Sequence, residues 1–117
     1  MSRAAILLLC ATAALATLGG CRALYNDAVL DNVEHDLSCD QLPPVESVNR
    51  LVEENQATVG AILAVHPGHV FVDVDRDSCP GRADIVIAYA SHADRTRIDA
   101  LLGDGTLFGV PLRLRNQ

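Results

Sequence analysis

Three patterns in the sequence predict a small α+β domain over residues 43–117, with a three-stranded mixed sheet and two helices packed on one face. Apolar residues recur every three or four positions over 45–63, which is typical of an amphipathic helix. Two stretches rich in β-branched residues, 69–75 and 84–90, flank a turn and favour a hairpin. A helix and a last strand follow. A strand–helix–strand unit crosses over right-handed, so its two strands are expected to be parallel.

The first twenty residues differ in composition from the rest and predict a signal peptide. Arg3 precedes an uncharged run from Ala4 to Leu18. A membrane-spanning helix needs about 20 apolar residues, so this shorter run has the length of a signal-peptide core. Two small residues, Gly19 and Gly20, then lead to Cys21.

The stretch Leu18-Gly19-Gly20-Cys21 resembles the lipobox of bacterial lipoprotein precursors. The resemblance implies cleavage before Cys21, a diacylglycerol thioether on its sulfur and a further acyl chain, such as palmitate, on the freed amine. One acyl chain holds a protein marginally, at about 0.8 kcal/mol per buried methylene, whereas two or three form a durable anchor. Arg22 follows the cysteine, and by analogy this favours the outer membrane, facing the periplasm, in a cell that has one. An ordinary secretory signal and an uncleaved anchor helix are the alternatives.

The expected organisation is therefore a signal peptide (1–20), a lipidated N-terminus with a tether (21–42) and the α+β domain (43–117). The tether is predicted to be a short, weakly amphipathic helix, because its apolar residues recur at every fourth position. These residues are Tyr25, Val29, Val33 and Leu37. Pro43-Pro44 ends the segment, since proline disfavours helix in the residue before it.

The long helix is expected to begin at Pro44 and to end before Pro67-Gly68. Thr58 and Gly60 weaken its middle, so we expect a break near Ala57 and a second helical segment after it.

The hairpin strands are expected over His69–Asp75, which alternates, and over Asp84–Ala90, which is more apolar and therefore more central. Ser91 is the expected N-cap of the second helix, with Asp94 three residues on as a short version of the capping-box acid.

Gly103 and Gly105 end the second helix. The last strand is expected over Leu107–Leu114, and Pro111 predicts that it lies at an edge of the sheet.

The charge of the chain after residue 20 excludes several partners. It carries eight arginines and no lysine against 15 acidic residues, a formal charge of −7. Nucleic acids and anionic lipids are bound through clustered positive charge, so this acidic composition argues against either as a partner. The sequence contains only four aromatic residues and no tryptophan, which argues against an aromatic stacking surface.

Two cysteines, Cys39 and Cys79, remain once Cys10 is removed with the signal and Cys21 carries lipid. An even pair in an oxidising compartment predicts one disulfide, with two unrelated thiols as the alternative.

An acidic run near the hairpin turn suggests a metal site. Asp73, Asp75, Asp77 and Asp84 fall close to the ligand spacing of a calcium loop, and calcium prefers carboxylate oxygens. Ser78 stands where such a loop has glycine, and strands rather than helices are expected to flank it. Solvent-facing acids at a strand end are the competing interpretation.

The histidines and serines give weaker signals. His66 and His69 are close in sequence, but a zinc site needs three or four ligands. Ser78 and the pair Ser91-His92 lie outside any Gly-x-Ser-x-Gly motif. We expect no cofactor and no catalysis. The sequence thus predicts a lipid-anchored cell-envelope protein whose domain contacts an envelope partner or supports the envelope. Calcium binding is the alternative, and a small hydrolase is a third.

Overall fold

The computed structural model describes residues 31–117, so the predicted signal peptide, Cys21 and the first part of the tether lie outside the described residues. The elements in chain order are a 3₁₀ turn (Cys39–Gln41), α1 (Val45–Glu54), α2 (Gln56–Leu63), β1 (Phe71–Asp75), β2 (Asp84–Tyr89), α3 (His92–Leu102), β3 (Thr106–Leu107) and β4 (Val110–Asn116). The α+β class is confirmed. The described chain has three α-helices, since the long predicted helix is divided in two, and one more strand than the sequence predicts.

The four strands form one mixed sheet in the order β1-β2-β4-β3. β1 and β2 are the expected antiparallel hairpin. β2 and β4 are parallel, as expected for two strands joined by a crossover helix, here α3. β3 pairs antiparallel with β4.

The fourth strand arises because the predicted last strand folds back on itself. Phe108 and Gly109 have φ of 57° and 77°, the positive values of a two-residue hairpin turn, and they separate β3 from β4. The prediction that Pro111 marks an edge strand is wrong, since β3 covers that side of β4. Proline is tolerated there because pairing with β2 begins one residue later, at Leu112.

The long helix breaks as expected, slightly before the predicted position. α1 and α2 meet at Asn55, whose φ of −121° and ψ of 35° are not helical. Its side-chain amide donates to the Leu51 carbonyl at 2.8 Å, so the side chain satisfies backbone at the junction. Leu63, the last residue of the apolar pattern over 45–63, is 39 % exposed.

The hydrophobic core lies between the helices and one face of the sheet. Alternate residues of β1, β2 and β4 point into it, and Val48, Ile62 and Ile98 from the three helices are fully buried against them. The strand residues of this face are Val72, Val74, Ile85, Ile87, Leu112 and Leu114. The opposite face therefore carries the other alternation, including Asp75, Asp84 and Arg113.

Residues 31–42, which we call the strap, lie along the domain. Val33 pairs antiparallel with Leu114 through two backbone hydrogen bonds of 3.0 Å. The prediction of a helical tether is wrong for 31–38, because the edge of β4 that the short β3 leaves open offers backbone partners to an extended chain. Within residues 31–117, no helix has the length and apolar character needed to span a membrane.

Candidate functional site

The candidate site lies on the sheet face opposite the core, at the end where β1 stops and β2 starts. Register places Asp75 opposite Asp84 there. Arg113 of β4 extends to the same point, since its strand is parallel to β2 and adjacent to it. Alternation alone puts all three side chains on this face.

Arg113 binds both carboxylates. Its Nε donates to Asp84 Oδ2 at 2.7 Å, and its Nη2 donates to Asp84 Oδ1 at 3.0 Å and to Asp75 Oδ2 at 2.5 Å. The Asp84 side chain is only 4 % exposed, so the bidentate pair is largely removed from water. The Asp84 carboxylate, followed by that of Asp75, raises the pKa of the Arg113 guanidinium. We call Arg113, Asp84 and Asp75 the ion cluster.

Asp75 is held ionised by the turn that follows it. The hydroxyl of Ser78 donates to Asp75 Oδ2 at 2.6 Å, and the backbone N–H groups of Asp77 and Ser78 donate to Oδ1. The Ser78 hydroxyl is the largest cause that lowers the pKa of Asp75 from 3.8 to about 2, while partial burial opposes it. Asp75 therefore shapes the hairpin turn as well as binding Arg113.

The strap contributes His35 to the ion cluster. His35 Nε2 lies 2.7 Å from Asp84 Oδ2, and the backbone N–H of Leu37 donates to His35 Nδ1 at 3.0 Å. Because Nδ1 accepts, Nε2 carries the proton and donates to the carboxylate. Both ring nitrogens are thus engaged, and His35 ties the strap to the sheet rather than offering a free base.

A disulfide joins Cys39 of the strap to Cys79 in the β1–β2 loop, with Cα atoms 5.4 Å apart, so the predicted bridge is confirmed. A cleft of about 210 Å³ lies between the strap and this loop. Its lining combines the ion cluster with two apolar strap residues: His35, Leu37, Leu42, Asp75, Asp84 and Arg113. Glu34 and Asp36 also line the cleft. The other charged groups, Asp75, Asp84 and Arg113, already bind one another.

The four predicted calcium ligands do not share one centre. Asp75 and Asp84 meet through Arg113, whereas Asp73 and Asp77 are exposed. Among residues 31–117, no three His, Cys, Asp or Glu side chains are grouped to hold a metal ion. Calcium binding through this loop stays a prediction, and it would require the two paired carboxylates to leave Arg113.

Arg113 and His35 were not recognised from the sequence as site residues. The signal for Arg113 is the alternation of β4, where arginines follow Leu112 and Leu114 and must face away from the core. Nothing local indicates His35, since its partner Asp84 lies 49 residues away.

A second polar cluster holds the start of the strap, at the opposite end of β2. Arg95 Nη1 donates to Asp31 Oδ1 at 3.0 Å, and His92 Nδ1 lies 3.1 Å from the same oxygen. The Tyr89 hydroxyl donates to the Asp31 carbonyl. Burial raises the pKa of Tyr89 to about 12, so this hydroxyl keeps its proton. Asp31 itself is 5 % exposed.

Ser91 and His66, near this cluster, each form a hydrogen bond with Asp94. Ser91 Oγ accepts from the Asp94 N–H at 3.2 Å, which confirms the expected N-cap of α3. The Asp94 carboxylate contacts His66 Nδ1 at 2.9 Å, and this hydrogen bond is the main cause that lowers the pKa of Asp94. The His66 and His69 rings stack with centroids 4.2 Å apart.

Comparison with known proteins found no matching family model, no similar curated protein and no similar solved structure.

Proposed function

We propose that this chain is a lipid-anchored cell-envelope protein whose disulfide-bonded α+β domain acts, close to the membrane, as an interaction or structural module. The lipobox-like stretch ending at Cys21 supports the anchor. The role of the domain close to the membrane is supported by the contacts that hold the strap against the domain. Its contacts are Asp31 to Arg95, Val33 to Leu114, Glu34 to Arg115, His35 to Asp84, and Cys39 to Cys79.

The strap decides how far the domain reaches from an acylated Cys21. A free tether over 22–42 would span up to about 70 Å when extended, at roughly 3.4 Å per residue. Since the chain is fastened from Asp31 onward, only residues 22–30 remain between the lipid and the domain, a reach of about 35 Å at most. A partner of this domain is therefore a protein at or near the same membrane, on the periplasmic side of the outer membrane in a cell that has one.

The chemistry of the ion cluster favours structural work over catalysis. The Arg113 side chain donates hydrogen bonds to the carboxylates of Asp84 and Asp75, and the hydroxyl of Ser78 donates to Asp75. His35 has a partner on each ring nitrogen. The groups that a hydrolase would use as base, acid or nucleophile instead hold the strap and the hairpin turn in place.

Intact-mass analysis of the membrane fraction tests the proposal. The wild-type protein should begin at Cys21 and carry acyl chains. Cys21→Ser should remain an unacylated precursor, because the serine hydroxyl does not form the thioether. Cys10→Ser is the matched control, since that cysteine lies in the segment removed by cleavage, and it should be acylated like the wild type. Wild-type protein without acyl chains on Cys21 would refute the proposal.

A further inference from the structure

The two ends of the sheet carry different side chains. At one end, Phe71 of β1 is paired with Ala88, and Tyr89 is paired with Asn116. We call this the histidine end, because contacts or chain position bring three histidines to it: His66, His69 and His92. The other end, where β1 leads into the loop that holds Cys79, is called the disulfide end.

The strap enters the domain at the histidine end. The Tyr89 hydroxyl donates to the Asp31 carbonyl, and the Asn116 N–H donates to Asn32 Oδ1 at 2.8 Å. From there the strap runs antiparallel to β4, and Cys39 reaches the disulfide end. The first described residue, Asp31, therefore lies at the histidine end, ten positions after Cys21 in the sequence.

One half-exposed carboxylate lies near this point of attachment, since Asp99 binds Arg95, which also binds Asp31. Asp31 and Asp94, which contacts place at the histidine end, are each 5 % exposed and each contact a histidine. Three exposed carboxylates lie at the disulfide end, on the strap and the hairpin loop: Asp36, Asp40 and Asp77. The histidine end exposes Phe71, at 56 %, and the His92 side chain, at 77 %.

We infer that the histidine end, with Phe71 at its edge, lies against the headgroup layer of the membrane that holds the anchor, and that the acidic disulfide end points away from it. This inference rests on the proposed lipid anchor. The link from the anchor joins the domain at this end, and an exposed phenylalanine gains free energy on leaving water. Salt screening weakens the repulsion between the acidic disulfide end and an anionic headgroup layer. Phe71 and Asp75 are four residue steps apart along β1, which separates the ends by about 13 Å. This distance exceeds the Debye length of about 8 Å at physiological salt.

The absence of tryptophan from the sequence makes a depth measurement direct. Phe71→Trp places one fluorophore at the histidine end, and Leu37→Trp places the matched control on the strap near the disulfide end, where the native side chain is 38 % exposed. The full acylated protein is reconstituted in vesicles of phosphatidylethanolamine and phosphatidylglycerol that contain a headgroup-nitroxide lipid. His69→Trp is a second reporter at the histidine end, and unfolding midpoints check that each variant is folded.

Nitroxide quenching falls steeply with distance, so we expect severalfold stronger quenching at positions 71 and 69 than at position 37. Equal quenching at the two ends, or stronger quenching at position 37, in protein shown by mass to be acylated would overturn the inferred orientation and leave the proposed anchor standing. Protein that carries no acyl chains and shows no quenching at any position would overturn both.

Discussion

Removing the disulfide is expected to destabilise the domain strongly while leaving most of the strap attached. The exposed member of the bridge is Cys39, whereas Cys79 is 8 % exposed. Cys39→Ala therefore breaks the bridge without creating a cavity in the core. In the chain-entropy model, the loop of 40 residues closed by the bridge stabilises the fold by about 4 kcal/mol.

A loss of this size is large for a small domain. At roughly 4–8 °C per kcal/mol for 60–100 residues, it corresponds to a fall in Tm of about 15–30 °C. Thermal unfolding followed by circular dichroism, on a chain that begins at Arg22, measures this directly. Wild-type protein in reductant should match the variant, and reductant should leave the Tm of the variant unchanged.

The position of proteolytic cleavage gives an independent readout. Val33 keeps its two hydrogen bonds to Leu114, and His35 keeps its bond to Asp84, when the bridge is absent. Downstream, the Pro43 carbonyl still accepts from Ala83 N–H. Native-state cleavage should therefore appear between residues 36 and 42, while β2 stays protected. A Tm unchanged by the substitution, or cleavage unchanged by reductant, would refute this account of the bridge.

Four further outcomes are expected. Arg113→Met should lower the free energy of unfolding in urea by about 3 kcal/mol, because it leaves the buried Asp84 carboxylate without its cation. The control Arg50→Met, at an exposed site, should change it by no more than about 0.5 kcal/mol. Equal losses in the two variants would contradict the ion cluster. The pKa of Asp75 is lowered from 3.8 to about 2 in the folded protein. Asp75 therefore contributes at most about 2 kcal/mol to the free energy of unfolding above about pH 4, and this contribution is lost as the pH falls toward 2. Asp75→Asn should lack this part of the acid dependence. Ser91→Ala should cost about 1 kcal/mol through loss of the α3 cap, measured by the same unfolding experiment. Calorimetric titration with calcium tests the alternative function: we expect no heat of binding, and binding that is lost in Asp75→Asn would establish the calcium site instead.

Local patterns in the sequence account for much of the fold. The helical period before Pro67 predicts the α1–α2 pair, and the weak residues near its middle predict the break that occurs at Asn55. The strand–helix–strand unit predicts the parallel pairing of β2 with β4, because the helix returns the chain to the end of the sheet at which the first strand began. An even number of cysteines predicts the bridge from Cys39 to Cys79.

Other features depend on partners far away in the chain. The split between β3 and β4 depends on positive φ at Phe108, a non-glycine residue in which this conformation is uncommon and which the sequence therefore does not signal. The apolar residues of the strap recur with the period of a weak helix, yet the strap is extended. The reason is that the backbone of β4 at Leu114 forms two hydrogen bonds with Val33 of the extended chain.

By itself, the sequence determines the class of the fold, the parallel strand pair and the bridge, because each follows from short-range periodicity, the order of the elements or the count of cysteines. The tertiary structure alone decides which charges meet. Asp84 finds its partners 29 and 49 residues away, in Arg113 and His35, and a nearly buried carboxylate is stable only when such partners converge on it. Convergence of this kind depends on strand order and register, which no local pattern encodes.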